Sequence, residues 1–330
     1  MNTDFLTQDY LPKASWSIGG GLLHGHTMLQ LSEGIAKEMQ GIRSLSCLHV
    51  TPACAWTVDW AAQRAMTTPT AYLRLLGLTD AQKLPVCLNF DNPFVAKGML
   101  EDGFGLFLVD ELLRHNPTGL NCAAVADDRV AFVLRRQFPR LPLIAHMNRS
   151  VVEEGEPDAD FYNRLLEVYD RVQLYPGSLR RADVVQALKA PERCMVVVND
   201  LCRRGSRSAH SELLLLLAQM RMRPYDFNYK VRRSELMAAL LAPVGTQGNT
   251  LSRAELAALY AQGLRSFHLQ AEQYKNALTP SWVLMSYLLT ADPQYSNKTS
   301  LLIYKVLSYL NGAPPPLASG LEPFTLRLPE

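Results

Sequence analysis

Cys194-Met195-Val196-Val197-Val198-Asn199-Asp200-Leu201-Cys202 is the stretch on which the fold turns. A short β-branched run bounded by polar residues reads as a buried strand. Apolar side chains stop at Val198, and Asn199, Asp200 and Cys202 follow where the strand should emerge. Polar groups at the exit of a parallel strand are where α/β folds place their chemistry. The same pattern recurs along the chain. Short apolar runs at 45–50, 85–90, 120–125, 143–147, 171–174, 195–199, 226–231 and 266–269 are candidate strands. Stretches such as 104–115, 129–138, 161–169, 180–188 and 211–222 carry apolar residues at helical spacing between them.

Strand–helix alternation implies parallel pairing through right-handed crossovers. Eight candidate strands match a closed (β/α)8 TIM-type barrel, whose usual size is ~250 residues. No Gly-rich nucleotide fingerprint follows the early strands, which disfavours an open doubly wound sheet. The expected organisation is an N-terminal extension over 1–44, a barrel over 45–310 closed by C-terminal helices, and a Pro-rich tail over 311–330.

With 330 residues, 48% of them hydrophobic, the chain can bury a large core. The net charge of +2 is made of scattered charges, so nucleic acid is not expected as the main partner. No run approaches the ~20 apolar residues of a membrane span. The first ten residues carry acids and no basic n-region, so no secretory leader is expected there. Cys47, Cys54, Cys87, Cys122, Cys194 and Cys202 sit mostly in apolar runs, the pattern of reduced thiols in a cytoplasmic protein. A protein partner or an oligomer is left open.

The strand exits then supply the candidate site. Asn199, Asp200 and Cys202, with His210 downstream, are the candidate catalytic set. Arg207, Lys230, Arg232 and Arg233 form the local positive clusters and suit a small anion. A lysine inside the alternating run 226–231 would be costly to bury without an anion or carboxylate beside it. Further rim candidates are Asn89, Asn92, His146, Asn148, Tyr175 and His268. His49 and His146 read equally as satisfied core histidines, Asn92-Pro93 as a turn, and Asp127 and Asp128 as helix N-caps. Asp200, His210 and Cys202 could also hold a single divalent metal. His24-Gly25-His26 is a separate alternative, the metal-binding pair of an amidohydrolase-like enzyme. The matching histidines after later strands are missing.

Between about residues 84 and 235 the chain resembles the collagenase-like peptidase superfamily, the group that includes RNA-hydroxylation and anaerobic ubiquinone-hydroxylation proteins. The resemblance is carried by Asn199-Asp200-Leu201-Cys202 after a Val-rich strand, by Arg207 and His210, and by Tyr229-Lys230-Val231-Arg232-Arg233. It implies a barrel enzyme, and in several members an iron–sulfur cluster on four cysteines. Here Ser206 stands where a second cluster cysteine would be expected, and Arg232 where the group has glycine. A four-cysteine cluster is therefore disfavoured. The readings in play are an enzyme using acid–base or single-metal chemistry on an anionic small molecule, an iron–sulfur hydroxylation-type protein, and an inactive homologue serving as a partner.

Overall fold

A computed structural model describes residues 11, 13–38, 45–58, 67–199, 211, 214–215, 218 and 251–271, the side chains of 30–38 and 253 apart. Eight parallel strands close into a barrel in chain order: β1 (Ser15–Ile18), β2 (Cys47–Val50), β3 (Val86–Phe90), β4 (Cys122–Val125), β5 (Leu143–Ala145), β6 (Arg171–Leu174), β7 (Cys194–Val197) and β8 (Ser266–Leu269). Because all eight run the same way, their exits share one rim.

Helices connect the strands: α1 (Gly21–Glu38), α2 (Pro69–Ala81), α3 (Gly103–Arg114), α4 (Asp128–Gln137), α5 (Asn148–Val151), α6 (Ala159–Val168), α7 (Pro176–Leu179), α8 (Ala182–Gln186) and α9 (Arg253–Ala261). Their starts are written in side chains that accept otherwise orphaned backbone N–H groups. Thr68 caps α2 ahead of Pro69, Asp102 caps α3, Asp127 caps α4 and Asp158 caps α6. At α9, Ser252 and Glu255 form a reciprocal capping box.

Two expectations are corrected here. The barrel begins inside the segment assigned to an N-terminal extension, because Ser15–Ile18 pairs with both β2 and β8. Its four residues alternate serine with Trp16 and Ile18, too short and too polar a run to stand out as a buried strand. Second, β7 pairs directly with β8, Met195 opposite Ser266 and Val197 opposite His268. Among the described residues no strand lies between them; the alternating run 226–231, expected to be the next strand, lies outside the described residues. Lys230 lies outside the described residues with it.

Successive strand residues point to opposite faces. Trp16, Ile18, Leu48, Val50, Leu88, Phe90, Val125, Leu174, Val196 and Phe267 face the helices in one continuous core. The other set faces inward. Residues at one height in such a barrel come in fours from alternate strands. Following the registers round the circle gives four layers. From the N-terminal end they are Cys47, Cys122, Arg171 and Ser266; then Ser17, Cys87, Ile144 and Met195; then His49, Ala124, Gln173 and His268; then Gly19, Asn89, His146 and Val197. Branched apolar residues dominate the usual barrel interior. This one is mostly polar, small or sulfur-bearing. Among the described residues no helix is long and apolar enough to cross a membrane.

Candidate active site at the barrel mouth

The third layer decides the character of the mouth. His49 and His268 come from strands on either side of β1 and meet over it, ring centroids 4.1 Å apart at 37°. Both are fully or almost fully buried. Nδ1 of His268 pairs with the Ser17 hydroxyl at 3.0 Å. Burial, and then the neighbouring His49 and His146, hold the His268 imidazole well below the usual histidine pKa. Two imidazolium ions cannot share this contact, so the pair is a neutral or singly charged unit.

The hydrogen bonds also fix where protons sit. Nδ1 of His49 lies 3.0 Å from Asn89 Oδ1, and an amide oxygen only accepts. The Asn89 amide nitrogen donates to Thr51 Oγ1 at 3.4 Å, which sets that orientation. Nδ1 of His49 therefore carries the proton, and in the neutral ring Nε2 holds the lone pair. His146 is the reverse. Its Nδ1 accepts from the backbone N–H of Asn148 at 3.2 Å, so its neutral ring carries the proton on Nε2. One imidazole is thus set to accept a proton and another to donate one.

Amides surround them. Gln173 Oε1 accepts from the Met147 backbone N–H at 3.1 Å. The Asn148 amide nitrogen donates to the Asp91 carbonyl at 2.8 Å, tying the β5 exit to the β3 exit. Asn148 Oδ1 is buried with no hydrogen-bond partner among the described residues, an acceptor suited to a ligand hydroxyl or N–H. Asn199 donates from its amide nitrogen to the Gln270 carbonyl and accepts the Gln270 N–H on Oδ1, both at 2.8 Å. Its side chain continues the β7–β8 ladder one step past the strands, a clamp at the point where the chain leaves the barrel.

Of the rim expected from the sequence, Asn89, His146, Asn148, Asn199 and His268 gather at this mouth, and Tyr175 and Asn92 serve packing and turn roles. Asn92 Oδ1 accepts from the Phe94 N–H and its amide nitrogen donates to the Ala55 carbonyl. Tyr175 packs with Val58, Val151, Leu214 and Ala218, and its ring underlies Gly177, where a Cβ would come within 2.7 Å of it. Asp127 is the N-cap expected of it, held further by Arg129. Ser17 and Gln173 were missed. The signal was present as polar residues in the middle of buried strands, where only a partner inside the barrel accounts for them.

Asp200, Cys202, Arg207, His210, Lys230, Arg232 and Arg233 lie outside the described residues.

The amidohydrolase-like alternative fails on geometry. His24 and His26 lie in α1, not at a strand end. Residues two apart in a helix point about 200° from each other, so the pair cannot converge on one ion. Among the described residues, no three His, Cys, Asp or Glu side chains are arranged to hold a metal. The five described cysteines do not gather at the β7 exit either. Cys194 faces the helix layer at the start of β7, Cys47, Cys87 and Cys122 lie in the N-terminal half of the barrel, and Cys54 is buried in the helix-facing core.

No family model and no curated protein matches the chain. A solved structure described as that of a U32 peptidase is similar to it with a TM-score of 0.45 and 12% identity, over 78% of this chain and 92% of that one. The barrel reading rests on the strand pairing itself and not on this likeness.

Proposed function

We propose that the chain is a barrel enzyme that binds a polar, anionic small molecule at its C-terminal mouth and moves protons on it, with His49 as base and His146 as acid. The observation that carries this reading is the meeting of buried imidazoles at the strand exits, His49 against His268 with His146 close enough to depress the latter. A general base must offer an accepting lone pair when it acts, and the Nδ1–H bond of His49 to Asn89 leaves that lone pair on Nε2 of the neutral ring. His268 acts through His49 and not on the ligand, since protonating it would oppose a charge on its neighbour. Asn148 Oδ1 would accept from a ligand hydroxyl or N–H.

The described mouth holds no buried lysine or arginine. The positive charge for an anion would come from Arg207, Lys230, Arg232 and Arg233, on the segment that leaves the barrel after Asn199. In the single-metal version of this reading, Asp200, His210 and Cys202 would hold a divalent ion over the same mouth, where it would polarise the ligand. Kinship with the collagenase-like peptidase superfamily is part of the proposal and rests on the motifs around Asn199-Asp200-Leu201-Cys202.

A thermal-shift panel of inorganic phosphate, citrate, malate and sugar phosphates tests it. At least one anion should raise Tm in the wild-type protein, and that rise should vanish in His49→Gln and shrink in Lys230→Ala. A panel without effect, or one whose effect survives both substitutions, overturns the reading. Repeating the panel after chelation separates the versions: the shift persists for acid–base chemistry and disappears for the metal-dependent one.

A further inference from the structure

The bottom two layers of the barrel interior bring three thiols together beneath the mouth, the upper one, Cys87, reaching Asn89 Oδ1 at 3.9 Å. Cys47 and Cys122 share the first layer, and Cys87 stands in the second, directly opposite Cys122 in the β3–β4 register. With Ala124, Ile144 and Met195 they form a cluster separate from the main core. All three are free thiols. The Cys47 thiol donates to the Leu48 carbonyl at 3.9 Å and the Cys87 thiol to the Leu88 carbonyl at 3.8 Å, while Arg171 from the first layer adds positive charge near Cys47 and Cys122.

We propose that Cys122 and Cys87 form a peroxide-reactive dithiol at the N-terminal end of the barrel, with Cys122 the attacking sulfur and Cys87 the resolving one.

Three features set these roles. The neighbouring thiols and the Arg171 guanidinium favour negative charge on Cys122, whose thiol is held below the ordinary value while those of Cys47 and Cys87 are raised. Cys122 opens β4 and retains 9% of its surface, and Cys47 beside it is partly exposed, so a molecule as small as peroxide has an approach. Register partners on neighbouring strands stand about 4.8 Å apart, inside the 4.4–6.8 Å Cα separation of disulfides (about the usual range).

The chemistry balances with peroxide as oxidant. The Cys122 thiolate attacks one peroxide oxygen; an S–O bond forms, the O–O bond breaks, and hydroxide leaves and takes up a proton as water. The Cys87 sulfur, losing its proton, then attacks the Cys122 sulfenic acid; the S–S bond forms, the S–O bond breaks, and a second water leaves. Two thiols are oxidised and one peroxide is reduced. The Cys194 thiol is the internal contrast: packed against the helices, it is pushed up to about 12 by burial.

The test uses the folded full-length chain, treated with a small excess of hydrogen peroxide, alkylated and digested with trypsin. Cys87 and Cys122 fall on different peptides, since the cleavage sites Lys97 and Arg114 separate them. A Cys87–Cys122 linked peptide is expected, with Cys54 and Cys194 recovered as alkylated thiols. In Cys87→Ser, dimedone should trap Cys122 as the sulfenic acid. Alkylation rates of the unmodified wild type give a reading that needs no variant: Cys122 should react at least about tenfold faster than Cys194. A link between Cys47 and Cys122, no link at all, or equal alkylation of Cys122 and Cys194 would overturn the proposal.

Discussion

At the scale of single residues, the telling side chains are polar ones that a barrel interior should not contain. His268 states the cost most directly. Its folded-state pKa is depressed by burial and by two neighbouring imidazoles, whereas in the unfolded chain it returns to about 6.5. Above that value both states are neutral and there is no penalty. As pH falls below it, the unfolded chain takes up a proton that the native chain refuses, so native stability drops until the folded pKa is passed. Stability should therefore fall between pH 7 and pH 5, with a slope from this group of at most about 1.4 kcal/mol per pH unit. Urea unfolding of the wild type and His268→Gln at pH 7 and pH 5 checks this. The variant should lose less stability across the interval, and equal losses would count against the depressed His268. From sequence, His268 and His146 were visible only as strand-exit histidines. That His49 and His146 hold opposite tautomers depends on Asn89 and on the Asn148 backbone, partners that no one-dimensional reading identifies.

At the scale of elements, the helices were the more legible part, because their signals are local. Asp127 before an apolar helical pattern is an N-cap wherever the helix later packs, and it caps α4. The strands were legible when apolar and continuous, as at β3 and β7. Ser15–Ile18 was not, since its serines find their reason only in residues some 250 positions away, Ser15 in Ser266 and Ser17 in His268. The run 226–231, whose alternation fits a strand, lies outside the described residues, and β7 pairs directly with β8. Packing between elements sets its own limit at α3. A Cβ on Gly105 would lie 2.7 Å from two ring carbons of Trp56, which is fully buried, edge-on to Phe90 and hydrogen-bonded to the Met99 carbonyl. Gly105→Ala should cost about 1–3 kcal/mol through overpacking, although alanine is the better helix former. Gly98→Ala, which meets nothing within 4 Å, should be close to neutral in the same denaturation experiment.

At the scale of the whole molecule, closure is the property to test. β1 bridges β2 and β8, and Trp16 stacks on Phe267 with centroids 5.0 Å apart on the helix-facing side. Deleting residues 1–18 should leave two unpaired strand edges and abolish cooperative unfolding, whereas a dispensable extension would leave the melting curve intact. Trp16→Ala is the milder version, with an expected loss of about 3–5 kcal/mol and retained folding. Closure has a further consequence on the opposite side of the ring. The β7 chain leaves at Val198, and Leu251 returns to donate its backbone N–H to the Val198 carbonyl at 2.8 Å. Everything from 200 to 250 thus begins and ends at one doorway, and the barrel's circle of strands is complete without it. With both ends of the insertion fixed by one hydrogen bond, doubling the chain length between them should add only about 0.6 kcal/mol of closure entropy to the ring.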